Sequence, residues 1–169
     1  EPLRPYPWGL SELSVDRNLL AAGRFALSAA SGVMEDGTPF SIPGGTDAPV
    51  PLDLPEGTRN ATVYLALPLA QDGNPEFALS EEGPDEVRAR YALRGFQAFD
   101  THSDSTIAAE LGIGRLRMKY LLETQELAGY TTLGLVRITE VQTDRRVLLD
   151  ERYIPPCLRI SASAVLANL

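Results

Sequence analysis

The feature that most constrains this chain is an unbroken two-residue alternation. Leu116, Met118, Tyr120 and Leu122 alternate with Arg115, Arg117 and Lys119. A period of two puts the apolar side chains on one face of a strand and the charges on the other. Met, Leu, Lys and Glu are good helix formers, but the alternation holds over eight residues and Gly112 and Gly114 precede it. The segment 110–123 is therefore expected to be a strand, and a half-buried strand needs partners.

The rest of the chain supplies them. Residues 24–33 read as a strand with Phe25, Leu27 and Ala29 on one face, followed by an Asp36-Gly37 turn and a return strand at 38–42. Val63-Tyr64-Leu65-Ala66-Leu67 is a continuous apolar run, as a strand covered on both faces should be, within 62–69. In 87–93, Val87, Ala89, Tyr91 and Leu93 face one way and Arg88 and Arg90 the other. Residues 130–141 and 147–153 form a second hairpin around Thr143-Asp144-Arg145, and its apolar side shifts at Leu135-Val136, predicting a bulge or burial on both faces.

Between these strands the signals are local. Pro2, Pro5 and Pro7 favour an extended arm over 1–9, and a strand follows through Val15. Asp16 caps a helical turn at 17–22 that Gly23 closes. Residues 43–57 are rich in Pro, Gly and Asp and read as a connecting loop, while 71–86 is a polar, acidic connection. Pro155-Pro156 ends the sheet region, and Ser161 or Ser163 is expected to cap a helix that runs past Leu169. About eight strands and almost no helix predict an all-β fold, an antiparallel β-sandwich or barrel with short helical turns. Residues 1–160 would form that domain and 161–169 the start of a helical connection. An opening Glu1 and a closing helix read as part of a longer chain.

Composition narrows the function. The longest apolar runs are far too short to span a bilayer, and no charged-then-apolar leader opens the chain, so neither membrane insertion nor secretion is expected. The formal charge of −8 and a pI of about 4.7 repel phosphate backbones, arguing against nucleic acid. Cys157, the single cysteine, excludes an internal disulfide and a multi-cysteine metal site, and reads as a buried, inert thiol. The single histidine, His102, stands in Asp100-Thr101-His102-Ser103-Asp104-Ser105. A hydrolase centred on it would need partners from separate elements, and a metal would need about four ligands where three at best are present. A solvated loop with Asx turns is the better reading. Gly112-Ile113-Gly114-Arg115 lacks the third glycine and the strand-then-helix setting of a phosphate loop. No catalytic residue and no cofactor are expected.

Two surfaces remain. Arg88, Arg90 and Arg94 lie on one strand and Arg115, Arg117 and Lys119 on another; if the strands pair, they make a basic stripe on an acidic protein. A solvated face is the default reading, and a docking surface for an acidic partner is the alternative. Tyr6-Pro7-Trp8-Gly9-Leu10 carries the only Trp, which either lies over a neighbouring subunit or plugs its own core. Tyr6, Trp8, Leu10, Arg88, Arg90, Arg115 and Arg117 are thus the candidate partner contacts.

Several stretches together resemble the N-terminal region of the TssK family of type VI secretion baseplate proteins, also known as ImpJ or VasE. They are Pro5-Tyr6-Pro7-Trp8-Gly9-Leu10-Ser11-Glu12-Leu13, Gly32-Val33-Met34-Glu35-Asp36-Gly37-Thr38-Pro39-Phe40, Val63-Tyr64-Leu65-Ala66-Leu67-Pro68, Gly114-Arg115-Leu116-Arg117 and Tyr153-Ile154-Pro155-Pro156-Cys157-Leu158. The resemblance implies a β-sandwich shoulder similar to that of siphophage receptor-binding proteins, followed in the family by a helical neck and a head that this chain lacks. It implies a cytoplasmic, non-enzymatic assembly adaptor at an inner-membrane-docked baseplate. Its partners would be the TssF–TssG wedge, two further copies in a trimer of the full-length protein, and the membrane complex through the missing C-terminal domains. The alternative is a carbohydrate- or receptor-binding β-sandwich, which requires an exposed aromatic platform; aromatic residues make up 7% of the chain and most fall at inward positions.

Overall fold

Strands dominate the computed structural model, which describes residues 7–70, 77–78, 89–99 and 108–169. In chain order they are β1 (Gly9–Val15), β2 (Arg24–Phe25), β3 (Leu27–Val33), β4 (Pro39–Ile42), β5 (Leu52–Asp53), β6 (Arg59–Pro68), β7 (Phe77–Ala78), β8 (Tyr91–Phe99), β9 (Ala108–Leu116), β10 (Lys119–Leu122), β11 (Tyr130–Val141) and β12 (Val147–Leu149). Among the described residues helix is confined to α1 (Arg17–Ala21), a 3-10 turn at Ile160–Ala162 and α2 (Ala164–Ala167). The all-β expectation holds, with more and shorter strands than the eight expected.

The chain divides into two units, Glu1–Leu67 with Met118–Leu169 and Pro68–Arg117. Among the described residues the first holds three sheets, in the orders β1-β3-β4, β10-β6-β11-β12 and β2-β5. β1 with β3, β3 with β4, β2 with β5, β6 with β10 and β11 with β12 pair antiparallel. The start of β6 lies against the end of β11, where Val141 N–H donates to Thr58 O at 2.9 Å and Arg59 Nη2 meets Glu140 Oε1 at 2.7 Å. In the second unit β8 and β9 pair antiparallel over nine residues, and β7 runs parallel to β8.

Apolar runs became the central strands. Val63, Leu65, Ala66 and Leu67 of β6 are buried, as are Leu133, Leu135, Val136 and Ile138 of β11, so both strands are covered on both faces. The burial expected at Leu135-Val136 is present, and the register shift falls slightly later, between Ile138 and Glu140. Tyr120 of β10 ties the sheets together. Its hydroxyl accepts the Leu27 N–H of β3 at 3.0 Å, and its ring meets Phe25 of β2 edge-on at 5.2 Å.

Local signals set the turns. Between β3 and β4, Gly37 adopts a φ of 91° and Thr38 N–H donates to Asp36 Oδ1 at 3.0 Å. Between β11 and β12, Arg145 takes a φ of 71° and Arg146 N–H donates to Asp144 Oδ1 at 3.0 Å. Asp16 caps α1 by accepting the N–H groups of Asn18 and Leu19, and Gly23 follows with a φ of 78°. Ser163 is the N-cap of α2, its Oγ accepting from Leu166 N–H at 3.5 Å.

Several expectations are corrected. The strand expected at 147–153 ends at Leu149, and the helix capped by Ser163, expected to run past Leu169, ends at Ala167. The strand expected at 24–33 breaks at Ala26: Phe25 pairs with Leu52 of β5, and Leu27 with Val15 of β1. A register shift between Ser14 and Val15 displaces the alternation, so Ala30 and not Ala29 is buried. The 43–57 loop contains β5, a strand too short to show a period. The strand expected at 87–93 begins at Tyr91; Ala89 and Arg90 precede it, and Val87 and Arg88 lie outside the described residues. The strand expected at 110–123 is two strands: β9 pairs with β8 up to Leu116, and β10 pairs with β6 from Lys119. The side-chain alternation survives the change of partner, which is why the sequence does not reveal the break.

Candidate partner-docking surface

Glycines and prolines place the N-terminal segment. Gly9 has a φ of +135°, and a Cβ there would come within 2.8 Å of Pro156 O. This close approach lets the backbone after Pro155-Pro156 lie along β1. Leu10 N–H donates to Pro156 O at 2.8 Å and Leu10 O accepts from Leu158 N–H at 2.7 Å, so Pro156, Cys157 and Leu158 form one rung of a parallel pairing on β1.

That arrangement buries Leu10 completely, at 0% exposure. Leu10 is a core residue and not a partner contact, a correction to the sequence reading that follows from the Pro156–Leu158 backbone covering it. Trp8, next to it, is half-buried. Tyr6 lies outside the described residues. The Cys157 thiol, expected to be buried, is half-buried; it donates to Pro155 O at 3.0 Å, and burial pushes its pKa up.

The basic residues divide similarly. β8 and β9 do pair, with Arg115 opposite Ala92, and Arg117 N–H donates to Arg90 O at 3.0 Å. Arg90, however, is 8% exposed and its Nη1 donates to Pro68 O at 3.0 Å. Its guanidinium serves the interior of its unit, so Arg90 is removed from the candidate contacts. Arg115 and Arg117 are half-buried. Arg88, and with it the full stripe, lies outside the described residues, as does His102.

Sequence reasoning missed a groove of about 840 Å³ in the first unit. Its lining includes Leu13 and Val15 of β1, Leu148 and Leu149 of β12, Leu20 of α1 and Val165 of α2, with Arg17, Asp150, Glu151 and Arg152 among them. Leu148 is 38% exposed. The available signal was the apolar run Val147-Leu148-Leu149, in which a two-residue period must turn one leucine outward.

Tyr153 also lines the groove. Its phenol pKa is raised by burial first, with smaller contributions from the nearby Tyr64 and Glu123, while Arg137 opposes them. Among the described residues no cluster of three or more His, Cys, Asp or Glu could hold a metal ion, and no helix is long and apolar enough to cross a membrane.

The fold and this surface define an all-β domain whose open features are strand edges and a groove. The chain belongs to the bacterial type VI secretion family described by VC_A0110, EvfL, ImpJ and VasE, whose model matches residues 1–169. It is 38% identical over 161 residues, 95% of its length, to the type VI secretion system baseplate component TssK1 of Pseudomonas aeruginosa strain PAO1. It superposes on a crystal structure of TssK with a TM-score of 0.85 and 37% identity over 95% of the chain. It also superposes on a chain of a TssK-TssF-TssG baseplate subcomplex seen by cryo-electron microscopy, with a TM-score of 0.77 and 22% identity over 98% of the chain. The chain spans 36% of TssK1 and of the TssK crystal chain, and 54% of the subcomplex chain. The family read from the motifs is thereby confirmed.

Proposed function

We propose that the chain is an assembly adaptor of the type VI secretion baseplate, a shoulder domain over 1–160 that docks on a TssF–TssG wedge. The observation that carries this reading is the 37% identity and 0.85 TM-score to TssK along almost the whole chain. The β-rich fold, with function residing in edges and surfaces, suits a part that holds other proteins. Its working place is the cytoplasmic side of the inner membrane, in a baseplate docked there. Trp8, Arg115 and Arg117 remain the side chains proposed to meet partners. In the same reading, 161–169 begins the connection to a neck, self-association is trimeric, and the membrane complex is reached through further domains.

The test is capture of a co-expressed TssF–TssG wedge by this chain, alone and extended to the length of its relatives. Stable capture by either form supports the reading. A folded protein that captures no wedge in either form refutes it.

A further inference from the structure

We propose that the open edge of β12 is a strand-addition site that receives one extended segment of the wedge. The inference rests on the adaptor reading and deepens it. Among the described residues β12 ends its sheet, with β11 its one ladder partner. Two bonds fix which backbone groups point where. Gln142 N–H donates to Arg146 O, and Asp150 N–H donates to Arg137 O. Residues 146 and 150 therefore face β11, and strand alternation makes 148 do the same. The N–H and C=O groups of Val147 and Leu149 consequently point away from β11, along the groove.

Edges of this kind are usually guarded by charge, proline or a covering element. β12 carries neither charge nor proline, reading Val147-Leu148-Leu149, and α1 lies near it without bonding its outward amides. Leu13, Val15 and Leu20 add apolar surface to the same groove, alongside the charged Arg17, Asp150, Glu151 and Arg152. Donors and acceptors repeating every second residue beside Leu13, Val15 and Leu20 match an extended peptide with apolar residues at alternate positions. The chain already recognises extended backbone this way, where Pro156 and Leu158 bond to Leu10 on β1.

Groove shape chooses the occupant. β1, α1 and α2 all contribute to its lining, so the edge is recessed. A single strand enters a recess, whereas the sheet edge of a second copy would be held off by its flanking elements.

The test is residue-resolved amide hydrogen exchange on the protein, free and bound to purified TssF–TssG wedge. The Val147 and Leu149 amides should exchange freely in the unbound protein and slow at least about tenfold in the complex, while Leu148 and Asp150 stay protected in both. Leu149→Pro, which removes an outward N–H and spares the bonds to β11, should weaken wedge capture at least about tenfold. Leu148→Lys guards the edge without touching the backbone and should act in the same direction if the proline variant fails to fold. A bound wedge with Val147 and Leu149 exchanging at their free rates overturns the site and leaves the adaptor reading standing. Absence of any capture removes both. Concentration-dependent protection without wedge identifies a second copy as the occupant and also overturns the proposal.

Discussion

Gly134 sits in the middle of β11, and an added Cβ would overlap the Tyr153 hydroxyl. Beyond that oxygen its nearest neighbours are ordinary contacts, Tyr153 Cζ at 3.7 Å and Thr62 Cγ2 at 3.8 Å. Gly134→Ala must therefore displace the phenol, an overpacking cost of about 1–3 kcal/mol. Alanine in a strand would by itself gain roughly 0.5–1 kcal/mol over glycine, so the expected net destabilisation is about 1–2 kcal/mol. Tyr153→Phe removes the clashing atom and should alone cost no more than about 1 kcal/mol. In the double variant the clash is gone and the alanine gain remains, so the pair should be at least about 1 kcal/mol more stable than the two singles predict. Urea unfolding of the four proteins, followed by tryptophan fluorescence and circular dichroism, completes the cycle. Additive effects, or a Gly134→Ala variant within about 0.5 kcal/mol of the parent, would refute the claim that the phenol occupies the space a Cβ needs.

Other tests follow from the same structure. Gly32→Ala places a Cβ on the Gly9 carbonyl oxygen, backbone against backbone, and should cost about 3 kcal/mol in chemical unfolding, whereas Gly45→Ala, with nothing within 4 Å, should change stability by less than about 1 kcal/mol. Tyr120→Phe leaves the buried Leu27 N–H without its acceptor and should destabilise by about 1–3 kcal/mol. Asp16→Ala removes the acceptor for two amides of α1 and should cost about 1 kcal/mol, read by thermal melting. Burial raises the Tyr120 and Tyr153 pKa values above 10.0 in the folded state. The unfolded chain then binds fewer protons once pH exceeds 10, so stability should be unaffected by these groups below pH 10 and fall above it. A pH series of unfolding midpoints checks the sign.

What the sequence revealed was local or strongly periodic. The Asp36-Gly37 turn, the Thr143-Asp144-Arg145 turn and the Asp16 cap each depend on a few neighbouring residues. β6 was visible because its continuous apolar run fits a strand covered on both faces, and the apolar shift at Leu135-Val136 left β11 between a bulge and burial on both faces. The short pairing of β2 with β5 was not visible, because two residues carry no period and the pairing spans a proline-rich connection. Nor was the change of partner at Arg117-Met118, since an alternation says which way a side chain points and nothing about which strand lies alongside.

The site shows the same division more sharply. Leu10 and Arg90 were chosen for residue type, an apolar residue in an arm and a cation on an alternating segment. Both are buried by backbone from elsewhere: the Pro156–Leu158 segment over Leu10, and the Pro68 carbonyl that binds Arg90. Proximity of that kind depends on the whole fold. An open strand edge is still further from the residues, because it is a property of ladder order. Val147-Leu148-Leu149 would read identically at the centre of a sheet, where its outward amides would be bonded and its groove filled. Only the order β10-β6-β11-β12 makes it an edge, and only the bonds at Gln142 and Asp150 decide which amides face out. The family can thus be recognised from motifs, while the edge proposed for docking waits for the topology.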